Sequence, residues 1–314
     1  MPESAAATEL HPDELPLDDD TIRALIARDL PEFSGLPLSR LEVPGSSNAL
    51  FALGDGLLAR FPRQPGGGEG ILKEARVTPL LARSLPVAVP EVIGLGAPGF
   101  GYPEPWAVTL RLPGVHPAPA EPGASLSQER LLLAQDLADV VLAVRAMELP
   151  ASVPADLRWY RGGALAEFDA SFRRYLGEAR AIADFDVDLA AAERMWNDAL
   201  RLPGASEAGA EQWYHGDLVA ENLLVSEGRL TAVLDLGSVS VGDPTVDLHG
   251  AWEILDGPAR SAFAERLGVT EAEWLRGRAW ALAISLSALA YYWHTMPGRR
   301  RDRLAMLRNA LGDA

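Results

Sequence analysis

Three polar side chains in the second half of the chain have the spacing of a small metal site. Asp217 is followed by Asn222, and Asp235 comes after two short apolar runs that are separated by a turn. If those runs pair as antiparallel strands, Asn222 begins one strand and Asp235 ends the other, which places them side by side, about 5 Å apart. An amide oxygen and a carboxylate at one sheet end suit Mg²⁺, which takes few protein ligands and completes its shell with water and phosphate. Taken alone, an aspartate that ends a strand, such as Asp235, is more often a turn-forming residue than a metal ligand.

Asp217 lies on the loop that leads into this hairpin. A carboxylate there can face the metal without binding it, and it can accept a proton from a hydroxyl as the hydroxyl oxygen attacks phosphorus. We expect His215 to fix the loop by hydrogen bonding rather than to act as a catalyst. Asp247 follows the helix start Asp243-Pro244, and it either braces the same loop or has a purely structural role.

A two-metal phosphoesterase site is another interpretation of the same segment. It would draw on His215, Asp217, Asp235, Asp243 and His249. Such sites use several histidines and bridging carboxylates, and the chain has only five histidines, which are scattered along it. We therefore rank this interpretation below the single-metal one.

The composition limits the classes of partner. The chain has 314 residues, no cysteine and a net charge of −16, which excludes disulfides and cysteine-ligated zinc and disfavours binding to nucleic acid or anionic membranes. The acidic excess would attract a cationic small molecule, or it only keeps the protein soluble. Residues 279–296 contain no Asp, Glu, Lys or Arg, and we expect a buried helix there rather than a membrane span. Because no signal peptide is recognisable, we expect a cytoplasmic location, and the sequence indicates no particular oligomeric state.

The elements that must position these residues fall into two lobes of different character, as the length predicts. Residues 1–16 are expected to form a disordered leader and residues 17–112 a small β-rich lobe with one packed helix. Residues 113–125 are rich in proline, glycine and alanine and are expected to be a linker. Residues 126–314 are expected to form a larger, mainly helical lobe, so that the fold class is α+β.

Hydrophobic periodicity predicts the individual elements. The inward face of one helix in the small lobe would carry Glu74, Val77, Thr78 and Leu81. Gly66 to Gly68 are expected to be a flexible linker, because no Gly-Lys-Ser or Gly-Lys-Thr follows them. The predicted strands are 48–53, 57–61, 89–95 and 106–112, the first two joined as a hairpin around residues 54–56, and the predicted helices are 71–84, 126–147, 165–183 and 189–200.

The segment from His215 to Asn222, together with Asp235-Leu236-Gly237, resembles the catalytic loop and metal-binding turn of the aminoglycoside phosphotransferase superfamily. Weaker similarities run from about Leu41 to His294, and within the superfamily the chain is most similar to bacterial aminoglycoside and macrolide phosphotransferases. The resemblance implies a protein-kinase-like fold of two lobes, with a small antiparallel sheet in the first. The weaker matches are Gly45–Phe51, Leu58–Arg63, Lys73–Arg76, Leu85-Pro86-Val87, Val89-Pro90, Leu112-Pro113-Gly114, Gly242-Asp243-Pro244 and Asp247-Leu248.

The resemblance also implies roles for single residues. Asp217 would be the catalytic base, and Asn222 and Asp235 would bind Mg²⁺. Arg60 stands where kinases usually carry a lysine that holds the nucleotide phosphates, although Lys73, the one lysine of the chain, is an alternative. Glu74 would pair with Arg60. The residues implied to form the nucleotide site are Ser46, Ser47, Asn48, Arg60, Glu74, Thr109 and Leu112.

The function that follows is a Mg²⁺-dependent kinase that moves the γ-phosphate of ATP or GTP onto a hydroxyl of an aminoglycoside- or macrolide-like molecule. A metabolite kinase of the choline, homoserine or sugar type is an alternative, because such relatives share the same motifs. A nucleotide-binding pseudokinase is another, since Val219 replaces a histidine that many members carry and Arg60 replaces the usual lysine.

Overall fold

The computed structural model describes residues 10–41, 47–121, 127–158, 160–207 and 211–312. The chain divides into two compact units. The first comprises Met1–Pro79, Pro90–Leu112 and His294–Met296, and the second comprises Leu80–Val89, Pro113–Trp293 and Pro297–Ala314. The first unit is a sheet with helices and the second is mainly helical, which gives an α+β architecture.

A five-stranded antiparallel sheet forms the first unit, in the order β1-β2-β3-β5-β4. The predicted hairpin is present, and Gly54 at its turn has φ +62°, a left-handed conformation that glycine adopts without strain. Phe61 stacks on Trp106 with 4.9 Å between ring centroids and anchors the core of the unit. The elements are α1 (Asp19–Asp29), β1 (Leu38–Arg40), β2 (Asn48–Leu53), β3 (Leu57–Pro62), α2 (Gly68–Ser84), β4 (Val92–Gly96) and β5 (Trp106–Leu110).

Helix α2 buries the predicted face, including Glu74, Val77 and Thr78, but it begins three residues before the predicted start. The backbone N–H groups of Gly66 and Gly68 donate to the two carboxylate oxygens of Glu104, at 2.8 and 2.9 Å. A Cβ at Gly68 would lie 2.3 Å from the Pro105 ring, so glycine is needed for this close approach. The glycines therefore form a capped helix start rather than the expected flexible linker.

Leu10 to Pro16, which were expected to belong to a disordered leader, contact the end of β3. The backbone N–H of Leu15 donates to the carbonyl oxygen of Arg63 at 2.6 Å. The Arg63 guanidinium is buried and pairs with Glu14 at 2.5 Å. A buried guanidinium needs a counter-charge, and this segment supplies it.

The second unit contains seven helices within its described residues and two short sheets. In the linker, Val115 pairs with Val225, and Ala120 donates to the carbonyl of Glu253 at 2.6 Å. Residues 165–168 form a 3-10 turn before α4, where a continuous helix was expected. The helices are α3 (Gln128–Arg145), α4 (Asp169–Arg180), α5 (Leu189–Ala199), α6 (Ala251–Ile254), α7 (Gly257–Leu267), α8 (Glu271–Tyr292) and α9 (Pro297–Gly312). The sheets pair β6 (Gln212–Tyr214) with β9 (Ser240–Gly242) and β7 (Leu223–Ser226) with β8 (Arg229–Val233).

Helix α8 covers most of the long stretch without charged residues. Trp280, Leu282 and Ser285 on it are fully buried, so the prediction of a buried helix is confirmed. None of the helices in the described ranges is long and apolar enough to cross a membrane.

Candidate functional site

The β7–β8 hairpin brings Asn222 and Asp235 to the same end of a sheet. Leu223 pairs with Val233, and the next residue, Leu234, donates its N–H to the carbonyl of Asn222 at 2.8 Å. Asp235 then turns the chain with φ 55° and ψ 70°, a left-handed conformation that is uncommon outside glycine. The backbones of Asn222 and Asp235 are therefore neighbours at the end of the hairpin, as the sequence predicts.

Asp217 is joined directly to Asn222. The amide Nδ2 of Asn222 donates to the backbone carbonyl of Asp217 and to its carboxylate Oδ2, each at 2.9 Å. Asn222 is buried, while the Asp217 side chain is one-quarter exposed (25%). This orientation of the Asn222 amide leaves its oxygen, Oδ1, as the atom available to a cation.

The second oxygen of the Asp217 carboxylate is held by Arg161, which the sequence analysis did not identify. Arg161 lies in a 3-10 turn over residues 160–162, and its Nη1 lies 2.8 Å from Asp217 Oδ1. Burial alone would raise the pKa of Asp217, but the Arg161 charge, with smaller contributions from His249, Arg303 and His215, lowers it to about 2. Asp217 is therefore ionised at physiological pH.

His215 and Asp247 hold the loop from behind. The ring Nδ1 of His215 accepts from the N–H of Asp217 at 3.2 Å, so its Nε2 is the donor toward the carbonyl of Leu234 at 3.1 Å. The Asp247 carboxylate accepts from the N–H groups of His215 and Gly216, at 2.8 and 2.6 Å. Asp247 is fully buried, and burial raises its pKa. His215 thus contacts both the loop and the end of the hairpin, as a scaffold residue would.

Val219 and His249 belong to the pseudokinase and the two-metal phosphoesterase alternatives, respectively. Val219, which stands where many members of the family carry a histidine, is fully buried. His249 is also buried; its Nδ1 hydrogen-bonds to the carbonyl of Val246, and burial lowers its pKa to about 4. Within the described residues, no group of three or more His, Cys, Asp or Glu side chains is arranged to hold a metal ion.

The residues expected to contact a nucleotide belong to the first unit. Arg60, in the middle of β3, places its Nη1 2.5 Å from Glu74 Oε1 on α2, and both side chains are buried. Lys73, the alternative to Arg60, is also buried, and burial lowers its pKa to about 8. The Arg60–Glu74 pair matches the expectation drawn from the resemblance.

The other residues that were expected to contact the nucleotide also belong to the first unit. Ser46 lies outside the described residues. Ser47 accepts the N–H of Arg63 through its carbonyl at 2.9 Å, and Asn48 begins β2. Thr109 is buried on β5, and its Oγ1 has no hydrogen-bond partner within the described part of the chain. Leu112 is half-buried at the end of the first unit.

Comparison with known proteins identifies the family of the chain. The model of a phosphotransferase enzyme family matches residues 41–280, more than half of the chain. The chain belongs to this phosphotransferase family. The expected resemblance is thereby confirmed. No curated protein sequence matches the chain.

Solved structures with the same fold include aminoglycoside and macrolide phosphotransferases. The GDP and kanamycin complex of APH(2")-IIia has a TM-score of 0.69 and 17% identity, with 93% of this chain and 98% of that chain covered. The streptomycin–ATP complex of APH(2")-IIa has a TM-score of 0.60 and 17% identity, covering 88% and 91%. Macrolide 2'-phosphotransferase MphH from Brachybacterium faecium has a TM-score of 0.57 and 24% identity, covering 92% and 98%. The predicted protein-kinase-like α+β class is confirmed.

The donor set at the hairpin end of this phosphotransferase fits a magnesium ion. The amide oxygen of Asn222 and the carboxylate of Asp235 are hard oxygen ligands, and Mg²⁺ needs only one or two such groups from the protein. The fit depends on the orientation of Asn222, whose Nδ2 is engaged by Asp217. A carboxylate in place of Asn222 would instead repel the ionised Asp217 beside it.

Proposed function

We propose that this phosphotransferase is a Mg²⁺-dependent kinase that transfers the γ-phosphoryl group of ATP or GTP to a hydroxyl of an aminoglycoside- or macrolide-like molecule. The observation that supports this most directly is the Asp217 carboxylate, held between Arg161 and Asn222 with part of its surface exposed. Two donors fix its orientation, and each oxygen keeps a second lone pair for an incoming hydroxyl.

Asp217 would act mainly by orienting the acceptor. A carboxylate whose pKa is about 2 is a weak base, so the hydroxyl proton would pass to it late, as the oxygen bonds to phosphorus and becomes more acidic. Before that, the carboxylate accepts the hydroxyl hydrogen bond and directs the oxygen lone pair at the phosphorus. Catalysis of this kind depends on positioning more than on base strength.

Asn222 and Asp235 would hold the magnesium ion, which supplies positive charge to the phosphate oxygens. In the first unit, Arg60 would bind the phosphates bidentately, and Glu74 would fix its direction through their 2.5 Å contact. This buried pair is intact although arginine replaces lysine, which supports an active kinase over a pseudokinase.

The acceptor class is inferred from charge and from similar proteins. The net charge of −16 favours a cationic acceptor. Among the similar structures, one contains kanamycin, another contains streptomycin, and a third is a macrolide 2'-phosphotransferase. These support an aminoglycoside or an amine-bearing macrolide for this chain.

The test is phosphate transfer by the purified protein from ATP and GTP, with Mg²⁺, to a panel of aminoglycosides, macrolides and amino alcohols. Asp217→Asn is expected to lower kcat roughly 10²- to 10⁴-fold, because the carboxylate that orients the incoming hydroxyl and accepts its proton is lost. Nucleotide binding should persist. Asp198→Asn is the matched control, since Asp198 is exposed and pairs with Arg201 on the surface of the second unit. Equal rates for the two variants would contradict the role of Asp217, and transfer to amino alcohols alone would favour the metabolite kinase.

A further inference from the structure

Glu221, in the turn between Asp217 and the β7 strand, is held by two arginines of the C-terminal helix. Its Oε1 lies 2.7 Å from Arg299 Nη2 and 3.0 Å from Arg303 Nη2. The two arginines are four residues apart on α9, so they project from the same face of that helix. Both guanidinium groups are almost completely buried.

The contact continues into the core of the second unit. Arg303 uses its other nitrogen, Nη1, to contact Glu253 Oε1 on α6 at 2.5 Å. The Arg299 guanidinium also lies over the ring of Tyr292 at the end of α8, 4.9 Å from the centroid. Two arginines thus face two glutamates, and this balance of charge is what a buried cluster needs. Helix α9 thus contacts Glu221 directly, and the same two arginines link α9 to α6 and α8.

Glu221 is directly followed by Asn222, which connects the turn to Asp217. The backbone N–H of Asn222 donates to the carbonyl of Val219 at 2.9 Å, closing the turn. Its side-chain Nδ2 donates to Asp217 Oδ2 at 2.9 Å. A displacement of Glu221 would therefore move the Asn222 amide and rotate the Asp217 carboxylate.

We propose that Arg299 and Arg303 are positioning residues that set the orientation of Asp217 and Asn222 by clamping Glu221. The inference rests on the proposed kinase function and adds to it the control of loop geometry by α9. The Arg303–Glu253 pair lies beside the same turn, because Glu253 also accepts a hydrogen bond from the backbone of Ala220. The Arg299–Glu221 contact reaches the turn independently of that pair, so Arg299 is the position at which the clamp is tested.

The deciding variant is Arg299→Gln, with Arg301→Gln as the matched control. Arg301 lies on the same helix, is exposed, and pairs with the adjacent Asp302. We expect Arg299→Gln to lower kcat about 10- to 100-fold, the cost of a misplaced reacting group, with little change in the KM for nucleotide. Arg299→Lys keeps the charge but not the planar fork, and it should restore part of the rate.

A second measurement does not depend on activity. Hydrogen exchange of the peptide that spans residues 216–222 should be faster in Arg299→Gln than in the wild type and unchanged in Arg301→Gln. If Arg299→Gln fails to fold, Glu221→Gln replaces it in the test, because it weakens the same contact from the side of the turn. It should likewise lower kcat and speed hydrogen exchange of residues 216–222.

The outcomes separate the clamp from the kinase function. A wild type without phosphate transfer would refute the proposed function, and the exchange data would still test the clamp. A folded Arg299→Gln variant that matches Arg301→Gln in kcat and in exchange would overturn the clamp while leaving the function intact. A lower melting temperature with unchanged kcat would likewise overturn it, because the cluster would then serve folding alone.

Discussion

At the scale of single residues, the Asp217 carboxylate is oriented by two hydrogen-bond donors. Arg161 holds one carboxylate oxygen and Asn222 the other, so both the orientation and the charge of the carboxylate are fixed before any substrate binds. The guanidinium stabilises the ionised form, and the amide links Asp217 to the candidate metal site. Such preorganisation costs no rearrangement at the moment of reaction.

The pH dependence of kcat tests the role of Arg161. Because the pKa of Asp217 is lowered to about 2, the carboxylate stays ionised above that pH and should cause no loss of kcat between pH 4 and 8. Arg161→Leu removes the main cause of the lowered pKa, so protonation should reduce kcat at a higher pH than in the wild type. Steady-state rates from pH 4 to 8 measure this.

Arg158→Leu provides the control for that experiment. Arg158 lies three residues earlier, is exposed, and pairs with Glu211. Its removal should leave the pH profile as in the wild type. Superimposable profiles for Arg161→Leu and the wild type would contradict the electrostatic role of Arg161.

The sequence predicted Asn222 and Asp235 because both are local to one hairpin, where antiparallel pairing sets the distance between strand ends. Arg161 could not be predicted in the same way. It is separated from Asp217 by 56 positions, lies in an irregular turn, and has neighbours with no periodic pattern. Contacts between irregular segments depend on the packing of the whole unit, and no short-range rule encodes them.

At the scale of elements, helix α2 shows what periodicity can and cannot predict. The buried face was readable because it repeats every three to four residues. The start of the helix was misplaced because its cap, Glu104, comes from a segment 36 residues beyond Gly68. A run of glycines without a nearby capping residue looks flexible in sequence, although here it allows the backbone to approach Pro105.

The cap can be measured as stability. Glu104→Ala removes the acceptor of two backbone N–H groups at the start of α2, and it should lower the free energy of unfolding by about 1–2 kcal/mol. Glu32→Ala, at an exposed position of the same unit, should have little effect. Chemical denaturation with an unchanged m-value would report this difference. Equal midpoints for the two variants would show that the carboxylate contributes nothing to helix stability.

At the scale of the whole molecule, charge is distributed in two ways. The sequence as a whole carries an excess of acidic groups, which gives a net charge of −16. The interior carries arginines that reach distant groups, such as Arg278, which donates to the carbonyl of Ala310 at 2.6 Å. A guanidinium can serve several acceptors in fixed directions, so arginine can link elements where a lysine would make one mobile contact.

The negative net charge should affect acceptor binding. For a polycationic aminoglycoside, long-range attraction predicts that kcat/KM falls as salt rises, because the Debye length shrinks from about 30 Å at 0.01 M to about 10 Å at 0.1 M. A macrolide with a single amine should show a weaker dependence. Initial rates at several KCl concentrations compare the two slopes. If the slopes were the same, the acidic excess would serve solubility rather than attraction of the acceptor.

The single lysine of the chain has a practical consequence. Lys73 is buried within α2, so a protease that cleaves only after lysine has one target, and it can reach that target only when the helix unwinds. Digestion would then cut the polypeptide once, into two fragments of defined mass. The rate of that one cut would report how often the first unit opens, without any label or engineered site.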